Sequence, residues 1–296
     1  MRIQYLNGGL ANQVFQYIFY RYAQLSAPNK DVWFLDDSFF FFKDEHNGYE
    51  LEKVFGVKPN LLSQQFAPEA WNLFIENRKK GIGTAQTLLN MGFSVEMIAE
   101  AQNYKNDNPF FGKVYTIPCN QYYPEILSCP GEVLYYFGYW INKNWLSKYK
   151  DQILSELQFP PITGEKNLSY ATKIKSTMSV GVHIRRGDFI RLGWQIDSND
   201  IYNMAKSMTD SYPELTFFVF SDDIDWCRNN SDQLGFSLAK EVVFVEGNLD
   251  GANYIDMQLM SMCKGLLMSN SSFCYLAALM NPNLQFFINP VPYREV

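Results

Sequence analysis

Short apolar runs alternate with amphipathic segments throughout the second half of this chain. Residues 180–184 and 216–220 are nearly continuous apolar runs, which are typical of strands buried on both faces. Between them, residues 200–212 carry apolar side chains at helical spacing, and the alternation continues to residue 288. The predicted order is β-α-β-α-β-α-β-α-β. Strands joined in this way form a parallel sheet with helices on both faces, a doubly wound arrangement common in nucleotide-binding domains.

The first half of the chain is less regular but begins in the same manner. Residues 2–35 predict one βαβ unit, with a glycine-containing loop between the first strand and the helix. Further elements are predicted along this half: helices over most of residues 60–110, a strand over 133–139 and an amphipathic helix over 144–159. The whole chain is therefore predicted to be of the α/β class.

The length of the chain favours two domains. Its 296 residues exceed one average domain and suit two domains of roughly 150 residues each. Residues 160–164 read Pro-Pro-Ile-Thr-Gly, which is the strongest linker signal in the sequence. We therefore predict a boundary near residue 160, with domains of residues 1–160 and 161–296.

Charge and cysteine content argue against several classes of function. The net charge is −6 and Lys and Arg are not clustered, so we expect neither a nucleic acid partner nor a polybasic membrane anchor. The five cysteines show no CxxC spacing and only two histidines are present, which argues against a disulfide framework and a histidine-rich metal site. No apolar stretch reaches roughly 18 residues, so we expect no transmembrane segment. A cytoplasmic location follows, with peripheral contact at the inner membrane face left open.

The turn Gly8-Gly9-Leu10-Ala11-Asn12-Gln13 joins the first predicted strand to the first predicted helix. Glycines allow a ligand to approach the backbone closely, and the start of a helix presents free N–H groups. The turn matches neither a dinucleotide-binding nor a Walker pattern. A tight strand-to-helix turn without a ligand is an equally good interpretation.

Arg185 and Arg186 directly follow a predicted buried strand. Two adjacent guanidinium groups at such a position require an anion or paired carboxylates, and in an acidic chain they indicate a local phosphate site. Structural ion pairs, for example with Asp188, are the alternative. His183 precedes the pair by two residues, so strand alternation places it on the same face as Arg185. It is either a ligand contact or a core histidine.

Two further turns follow predicted strands. Ser221-Asp222-Asp223 resembles the acidic pairs that hold Mg²⁺ in some glycosyltransferases, and it equally resembles a helix N-cap. Ser269-Asn270-Ser271-Ser272-Phe273 offers hydroxyl and N–H groups at the start of a helix, which suits either an anion or simple capping. Because ligands of doubly wound domains bind beyond the carboxyl ends of the strands, we expect these turns to lie near the arginines.

Five blocks in this order resemble glycosyltransferase family 11, the α-1,2-fucosyltransferases. Gly8 to Tyr17 is similar to the opening GGLGNQMFQY motif, and His183 to Phe189 is similar to the HxRRGDY motif. The remaining blocks are residues 137–140, 218–227 and 256–273. The resemblance spans nearly the whole chain.

This resemblance implies a GT-B architecture, in which two Rossmann-like domains face each other across a cleft. It implies an N-terminal acceptor-side domain and a C-terminal GDP-sugar-binding domain. The implied reaction is inverting transfer of L-fucose from GDP-β-L-fucose to the 2-hydroxyl of a terminal galactose, without a metal cofactor. Two alternatives stay open: a GT-B transferase with another nucleotide sugar or linkage, and a catalytically silent nucleotide-sugar binding protein.

The resemblance also implies roles for individual donor-site residues. Arg185 inherits the grip on the donor β-phosphate, and Asp222 inherits the reading of guanine. Ser271, Ser272 and the backbone near Phe273 are expected to contact the diphosphate. Leaving-group stabilisation of this kind acts more strongly in the transition state than in the ground state.

The roles of the remaining site residues are less closely defined. His183 and Gly9 are expected to contact the donor, and Arg186 is expected to brace the site through Asp188. Asp188 is also the nearest carboxylate that could act as a base, although sequence alone fixes no base. Asn12 is expected to position the acceptor or the donor.

Two departures from the family pattern bear on specificity. Ala11 replaces the usual glycine of the first motif, which implies a less strained turn. Cys274-Tyr275-Leu276-Ala277-Ala278 replaces the Trp-rich stretch that usually follows the last motif. The second change weakens predictions about the donor-pocket wall and the acceptor.

Overall fold

The computed structural model describes residues 1–26, 31–102, 110–249 and 251–291. The chain divides into two compact units, Met1–Gln158 and Phe159–Val296. The division falls close to the Pro-Pro-Ile-Thr-Gly segment at residues 160–164.

The first unit is built on a parallel sheet of five strands in the order β2-β1-β5-β3-β4. The strands are β1 Arg2–Tyr5, β2 Trp33–Asp36, β3 Val95–Glu100, β4 Lys113–Ile117 and β5 Val133–Phe137. The α-helices are α1 Leu10–Ser26, α2 Leu51–Phe55, α3 Pro68–Lys79, α4 Thr84–Asn90, α5 Asn144–Ser147 and α6 Lys150–Glu156. Short 3-10 helices cover Ser38–Phe41, Leu62–Gln65 and Pro124–Ser128.

Aromatic side chains fill both faces of this sheet. Tyr136 of β5 packs near Phe19 of α1, with 5.4 Å between ring centroids. Its neighbour Tyr135 points to the opposite face and joins the cluster that contains Trp71 and Phe74 of α3. This alternation is the two-residue period of a strand, and it leaves both neighbours almost fully buried.

Two predictions for the first unit are wrong in detail. Val95–Glu100 is a strand within the region predicted to be mostly helical, because pairing with β4 and β5 outweighs local propensity. Residues 103–109 of that region lie outside the described residues. The helix predicted over 144–159 is divided into α5 and α6, because Tyr149 turns inward and its hydroxyl donates to the carbonyl oxygen of Leu25 over 2.9 Å.

The second unit has the doubly wound fold that the sequence predicts. Its five parallel strands lie in the order β10-β9-β6-β7-β8. They are β6 Met178–Ile184, β7 Leu215–Ser221, β8 Glu241–Phe244, β9 Gly265–Leu267 and β10 Phe286–Ile288. The helices are α7 Glu165–Ser176, α8 Gly187–Leu192, α9 Ser198–Ser211, α10 Ile224–Asn229, α11 Tyr254–Met260, α12 Ser272–Leu279 and a 3-10 helix at Phe236–Leu238.

Each sheet reverses its winding direction next to its first strand. From β6 the chain continues to β7 on one side, whereas β9 lies on the other side. In the first unit, β1 lies between β2 and β5 in the same manner. A crevice at the carboxyl ends of the strands is expected at such reversal points, and ligands of open α/β sheets bind there.

The described helices include none that is long and apolar enough to cross a membrane. The longest, α1, has 17 residues and is mostly buried against its own sheet.

Candidate functional site

Arg185 is the centre of an ion-pair cluster at the carboxyl end of β6. Its Nε and Nη2 atoms lie 2.9 and 2.8 Å from Oδ1 of Asp188, and Nη1 lies 3.1 Å from Oδ2 of Asp222. The ring of Phe189 lies beside it, with 5.8 Å between the ring centroid and the guanidinium carbon. The Arg185 side chain keeps 31% of its surface exposed, so a ligand can still reach it.

Arg186 joins the turn after β6 to the turn after β7. Its backbone N–H donates to Oδ1 of Asp222 over 2.8 Å, and its Nε donates to Oδ2 of Asp223 over 3.0 Å. Its guanidinium carbon lies 3.4 Å from the centroid of the Trp226 ring, a close cation–π contact. Asp223 in turn accepts from the backbone N–H of Trp226 and caps α10. Arg186 is therefore a bracing residue with little surface left for a ligand.

The predicted brace between Arg186 and Asp188 is wrong. Helix α8 begins at Gly187, so Asp188 lies in its first turn and its carboxylate pairs with Arg185, three residues earlier. Arg186 pairs with Asp223 instead. Both arginines thus form structural ion pairs in this structure, which was the alternative to an anion site in the sequence analysis.

Gly187 lies where the two turns approach most closely. A Cβ atom at this position would come within 2.7 Å of Oδ2 of Asp222. That oxygen is held by Arg185, and the other oxygen of Asp222 is held by the backbone of Arg186. The glycine of the Arg-Arg-Gly-Asp sequence is therefore required by packing rather than by an unusual backbone angle.

His183 is a buried, neutral member of the site. Only 6% of its surface is exposed, and its Nδ1 lies 2.7 Å from Oγ of Ser269. Burial, together with the positive charge of Arg185, lowers the pKa of His183 to about 3. Its ring stacks near Phe273, with 5.6 Å between centroids. His183 links the end of β6 to the turn after β9.

The turn after β9 forms the start of α12. The side chain of Ser271 accepts from the backbone N–H of Phe273 over 3.2 Å and is the N-cap of the helix. Ser269 and Ser271 are buried, whereas Ser272 is half-buried at the first position of the helix. A small hollow with a volume of about 10 Å³ opens next to this turn and the arginine cluster, and its lining includes Ile184, Arg185, Arg186, Ile196, Trp226 and Ser269.

Asp256 is a half-buried carboxylate that is not among the predicted site residues. It lies in the first turn of α11, and its Oδ1 accepts from Nδ2 of Asn248 over 2.7 Å. Asn248 also exchanges hydrogen bonds with Asn167. Burial raises the pKa of Asp256 to about 7, although the Asn248 hydrogen bond opposes the shift. Its position at the start of the fifth family block, residues 256–273, was the one feature of the sequence that could have marked Asp256 as a site residue.

The glycine turn of the first unit has a tight internal packing. Gly8 has a φ of +77°, and a Cβ atom there would come within 2.8 Å of Nδ2 of Asn12. Gly9 lies next to the ring of His46, and a Cβ atom added to Gly9 would lie 3.5 Å from that ring. Gln13 ties the turn to a second loop, because its Nε2 donates to the carbonyl oxygens of Gly8 and Gly48. Ala11 is buried in the first turn of α1.

Asn7 and Tyr139 were also missed by sequence reasoning. They line a hollow of about 210 Å³ at the carboxyl ends of β1 and β5, together with Tyr5, Phe137 and Gly138. Nδ2 of Asn7 donates to the hydroxyl of Tyr139 over 3.3 Å.

The predicted site residues therefore form two groups. In the second unit, one region holds His183, Arg185, Arg186, Asp188, Asp222 and the turn of Ser271, Ser272 and Phe273. In the first unit, Gly9 and Asn12 lie at the end of β1. Across the residues that the structure describes, no group of three or more His, Cys, Asp or Glu side chains is arranged to hold a metal ion. All five cysteines are free thiols.

Comparison with known proteins places this chain among sugar-transferring enzymes. The family model for glycosyl transferase family 11 matches residues 60–291, which confirms the resemblance seen in the motifs. An alpha-1,2-colitosyltransferase of Escherichia coli is 29% identical over 98% of this chain and 91% of its own length. Galactoside alpha-(1,2)-fucosyltransferase 2 of Gorilla gorilla gorilla is 25% identical over 50% of this chain and 46% of its own length.

A solved structure shows the same fold at much lower sequence identity. A mutant of Arabidopsis thaliana FUT1 in complex with GDP is 12% identical and has a TM-score of 0.51. The match covers 99% of this chain and 71% of that one. At this identity the likeness concerns the fold alone, and it agrees with the predicted pair of Rossmann-like units.

Proposed function

Because the chain belongs to glycosyltransferase family 11, we propose that it transfers L-fucose from GDP-β-L-fucose to the 2-hydroxyl of a terminal galactose. The reaction inverts the anomeric carbon and needs no metal ion. The observation that supports this most is the Arg185 cluster, which lies where the sheet of the second unit reverses direction. The relatives named above carry α-1,2 transfer in their names, and the plant structure holds GDP.

Arg185 is the group that we assign to the donor β-phosphate. The cluster contains two guanidinium groups and three carboxylates, so its net charge does not attract an anion by itself. A phosphate has to replace Asp188 as the partner of Arg185, helped by the N–H groups at the start of α12 and by Ser272. Charge that develops on departing GDP is then met by a guanidinium already in place.

The exchange of partners at Arg185 supports Asp188 as the candidate base. While Arg185 pairs with Asp188, Oδ1 of the carboxylate is occupied by two N–H groups of the guanidinium. When Arg185 turns to the diphosphate, this oxygen is released and can accept a proton from the acceptor hydroxyl. Donor binding and base activation are coupled in this proposal. The acceptor hydroxyl is then deprotonated only in the presence of the donor.

Guanine recognition is better suited to Asp256 than to Asp222. Both oxygens of Asp222 already accept from the arginine turn, at 2.8 and 3.1 Å. Asp256 is half-buried and its Oδ1 accepts from Asn248. The N1–H and N2–H groups of guanine would supply further donors to this partly buried carboxylate. Asp222 is then a residue that positions Arg185.

A colitose donor is the second candidate, because an alpha-1,2-colitosyltransferase matches nearly the whole chain. Colitose is the 3-deoxy form of L-fucose, so the two donors differ by one hydroxyl. A site that hydrogen-bonds this hydroxyl discriminates strongly between them, and one that leaves it in water does not. Another nucleotide sugar and a silent binding protein also stay open as outcomes of the same assay.

The test is a transfer assay with GDP-fucose and GDP-colitose in parallel, with lactose as acceptor and NMR analysis of the product linkage. We expect α-1,2 product, and we expect Arg185→Ala to abolish transfer without changing the melting temperature. Arg191→Ala is the matched control, because Arg191 is exposed on α8, the next helix along the chain, outside the cluster. Transfer by Arg185→Ala at a near wild-type rate would contradict the assignment. Product from GDP-colitose alone would favour the second candidate.

A further inference from the structure

We propose that the hollow at the carboxyl edge of the first sheet binds a neutral hexose ring of the acceptor. In this proposal Asn7 and Tyr139 are its polar contacts and Gln16 is a positioning residue. The inference rests on the proposed function, since it assigns the acceptor side of that reaction. The hollow has a volume of about 210 Å³ and lies where the winding of the first sheet reverses. Ligands of open α/β sheets bind at such places.

Asn7 and Tyr139 present hydrogen-bond donors to the hollow. Nδ2 of Asn7 donates to the Tyr139 hydroxyl, so the proton of that hydroxyl is left to point elsewhere. Burial raises the pKa of Tyr139, and Asn7 opposes the shift, so the hydroxyl keeps its proton at neutral pH. A sugar hydroxyl can accept that proton. Both side chains are half-buried, which leaves one face of each accessible.

Aromatic rings form the apolar wall of the hollow. Tyr5 and Phe137 stack with 5.0 Å between centroids and an angle of 24° between planes. The C–H face of a pyranose packs well against such rings, because it is the apolar face of the sugar. None of the five lining residues is ionised at neutral pH. The lining residues therefore suit a neutral hexose and supply no charge of their own, although Nη2 of Arg78 lies 3.5 Å from the Tyr5 hydroxyl.

Gln16 fixes the orientation of Asn7. Its Oε1 accepts from the backbone N–H of Asn7 over 3.0 Å, and its Nε2 donates to Oδ1 of Asn7 over 2.7 Å. Because Oδ1 faces Gln16, Nδ2 must face Tyr139. Gln16 thus determines that Asn7 donates to the Tyr139 hydroxyl, which leaves the hydroxyl proton of Tyr139 available to a ligand in the hollow.

The backbone that carries Tyr139 is held equally firmly. Oε2 of Glu100 accepts from the N–H groups of Tyr139 and Trp140, at 2.7 and 3.1 Å. A Cβ atom on Gly138 would lie within 2.8 Å of the same carboxylate. Trp140 is fully buried at a φ of +57°, a conformation that persists only where the surroundings fix it. The contacts are therefore preorganised, which lowers the entropic cost of binding.

Binding to an array of glycans with varied terminal sugars tests the subsite against many acceptor candidates at once. We expect binding to neutral hexose termini, weakened about three- to tenfold by Tyr139→Phe and by Asn7→Ala, the loss of one hydrogen bond. Tyr123→Phe is the matched control, because its hydroxyl contacts Gln121 outside the hollow. Arg185→Ala should lose GDP binding and keep the array signal. Melting temperatures exclude unfolding as the cause.

Gln16→Glu tests the positioning role. Two acceptor oxygens then face Asn7, so its amide turns over and its Oδ1 takes the Tyr139 proton. We expect the acceptor KM to rise with the Kd for GDP unchanged, and adding Tyr139→Phe should cause little further loss. Unchanged glycan binding in Asn7→Ala and Tyr139→Phe, preference for acidic termini, or no array signal from the wild type would each overturn the proposal. Hollow-dependent glycan binding without transfer from GDP-fucose would instead contradict the proposed function alone.

Discussion

Asp222 and Asp256 are two carboxylates of one sheet edge in opposite environments. Asp222 accepts from a backbone N–H and a guanidinium, so its charge is compensated within the protein. Asp256 has a neutral asparagine as its hydrogen-bond donor and a pKa raised to about 7 by burial. A compensated carboxylate positions its neighbours, whereas an uncompensated one is available for a ligand that brings N–H donors.

The pH dependence of GDP binding should report on Asp256. Guanine N–H groups favour the ionised carboxylate, so affinity should fall by about tenfold per pH unit below a pH of about 7. Asp256→Asn should remove this slope. Calorimetry between about pH 5.5 and 8.5 measures the GDP affinity of the wild type and of Asp256→Asn. The ionisation of GDP affects both proteins equally, so it cancels when the two profiles are compared.

Asp225→Asn is the matched control, because 83% of that side chain is exposed. Asp256→Asn should also affect the stability of the protein, since the folded-state pKa of Asp256 lies above its usual value. Stability from this group is complete below a pH of about 4 and is lost as pH rises to about 7. Identical pH profiles for wild type and Asp256→Asn would refute the guanine assignment.

Gly187→Ala should disturb the arginine cluster without changing any charge. The new Cβ atom would meet Oδ2 of Asp222 at 2.7 Å and push it away from Arg185. We expect a stability loss of about 1–3 kcal/mol, as for other overpacked sites, and a lower kcat. Gly83→Ala is the control, because its nearest neighbour would lie at 3.9 Å. Wild-type kcat in Gly187→Ala would show that the position of Asp222 does not matter.

Helix α12 is capped at the same terminus to which we assign the donor diphosphate. Ser271 caps it, and Ser269 at the preceding turn bonds to His183. The end of β6 and the start of α12 are therefore fixed relative to each other. An anion at this terminus meets N–H groups whose positions are set by a neutral histidine.

Ser271→Ala should differ from the loss of an ordinary N-cap, because it should weaken GDP binding as well as stability. Loss of an N-cap costs about 1 kcal/mol, and Asp197→Ala, the cap of α9, should cost a similar amount. Only Ser271→Ala should also weaken GDP binding, because its helix faces the diphosphate in our proposal. Thermal unfolding and calorimetry of both variants make the comparison. Equal GDP affinity in the two would remove Ser271 from the donor site.

The sequence predicts secondary-structure elements better than it predicts the side-chain contacts between them. Strands β6 and β7 are recognisable because they are buried on both faces and hence continuously apolar. Strand β3 escapes recognition, since its strand state comes from pairing with distant segments. The partner of Asp188 depends on where α8 begins, and no pattern marks that residue. The role of Asn7 depends on a glutamine nine residues later, which is visible only after α1 has formed.

Over the whole molecule, two sheets of the same parallel type each offer a hollow at the reversal of their winding. The solved plant structure shares this fold. The first sheet supplies aromatic and amide groups, and the second supplies guanidinium, hydroxyl and carboxylate groups. This division of chemistry suits a sugar acceptor on one unit and a nucleotide diphosphate on the other.

Metal independence is a prediction for the complete reaction. We expect full turnover in excess EDTA, because Arg185 and the start of α12 would meet the charge on departing GDP. The measurement is the initial rate with EDTA, with Mg²⁺ and with Mn²⁺ on the same preparation. A strict requirement for either ion would contradict the metal-free mechanism and would point to Asp222 and Asp223 as ligands.

The double pairing of Arg185 has a consequence for the end of the catalytic cycle. A guanidinium that binds a diphosphate without local competitors would hold the product as firmly as the donor. Here Asp188 and Asp222 lie within 3.1 Å of the guanidinium. In the proposed reaction they would recapture it as soon as GDP loosens, so turnover would not wait for water to solvate a bare cation. The carboxylates that oppose donor binding in this proposal would also help the spent nucleotide to leave.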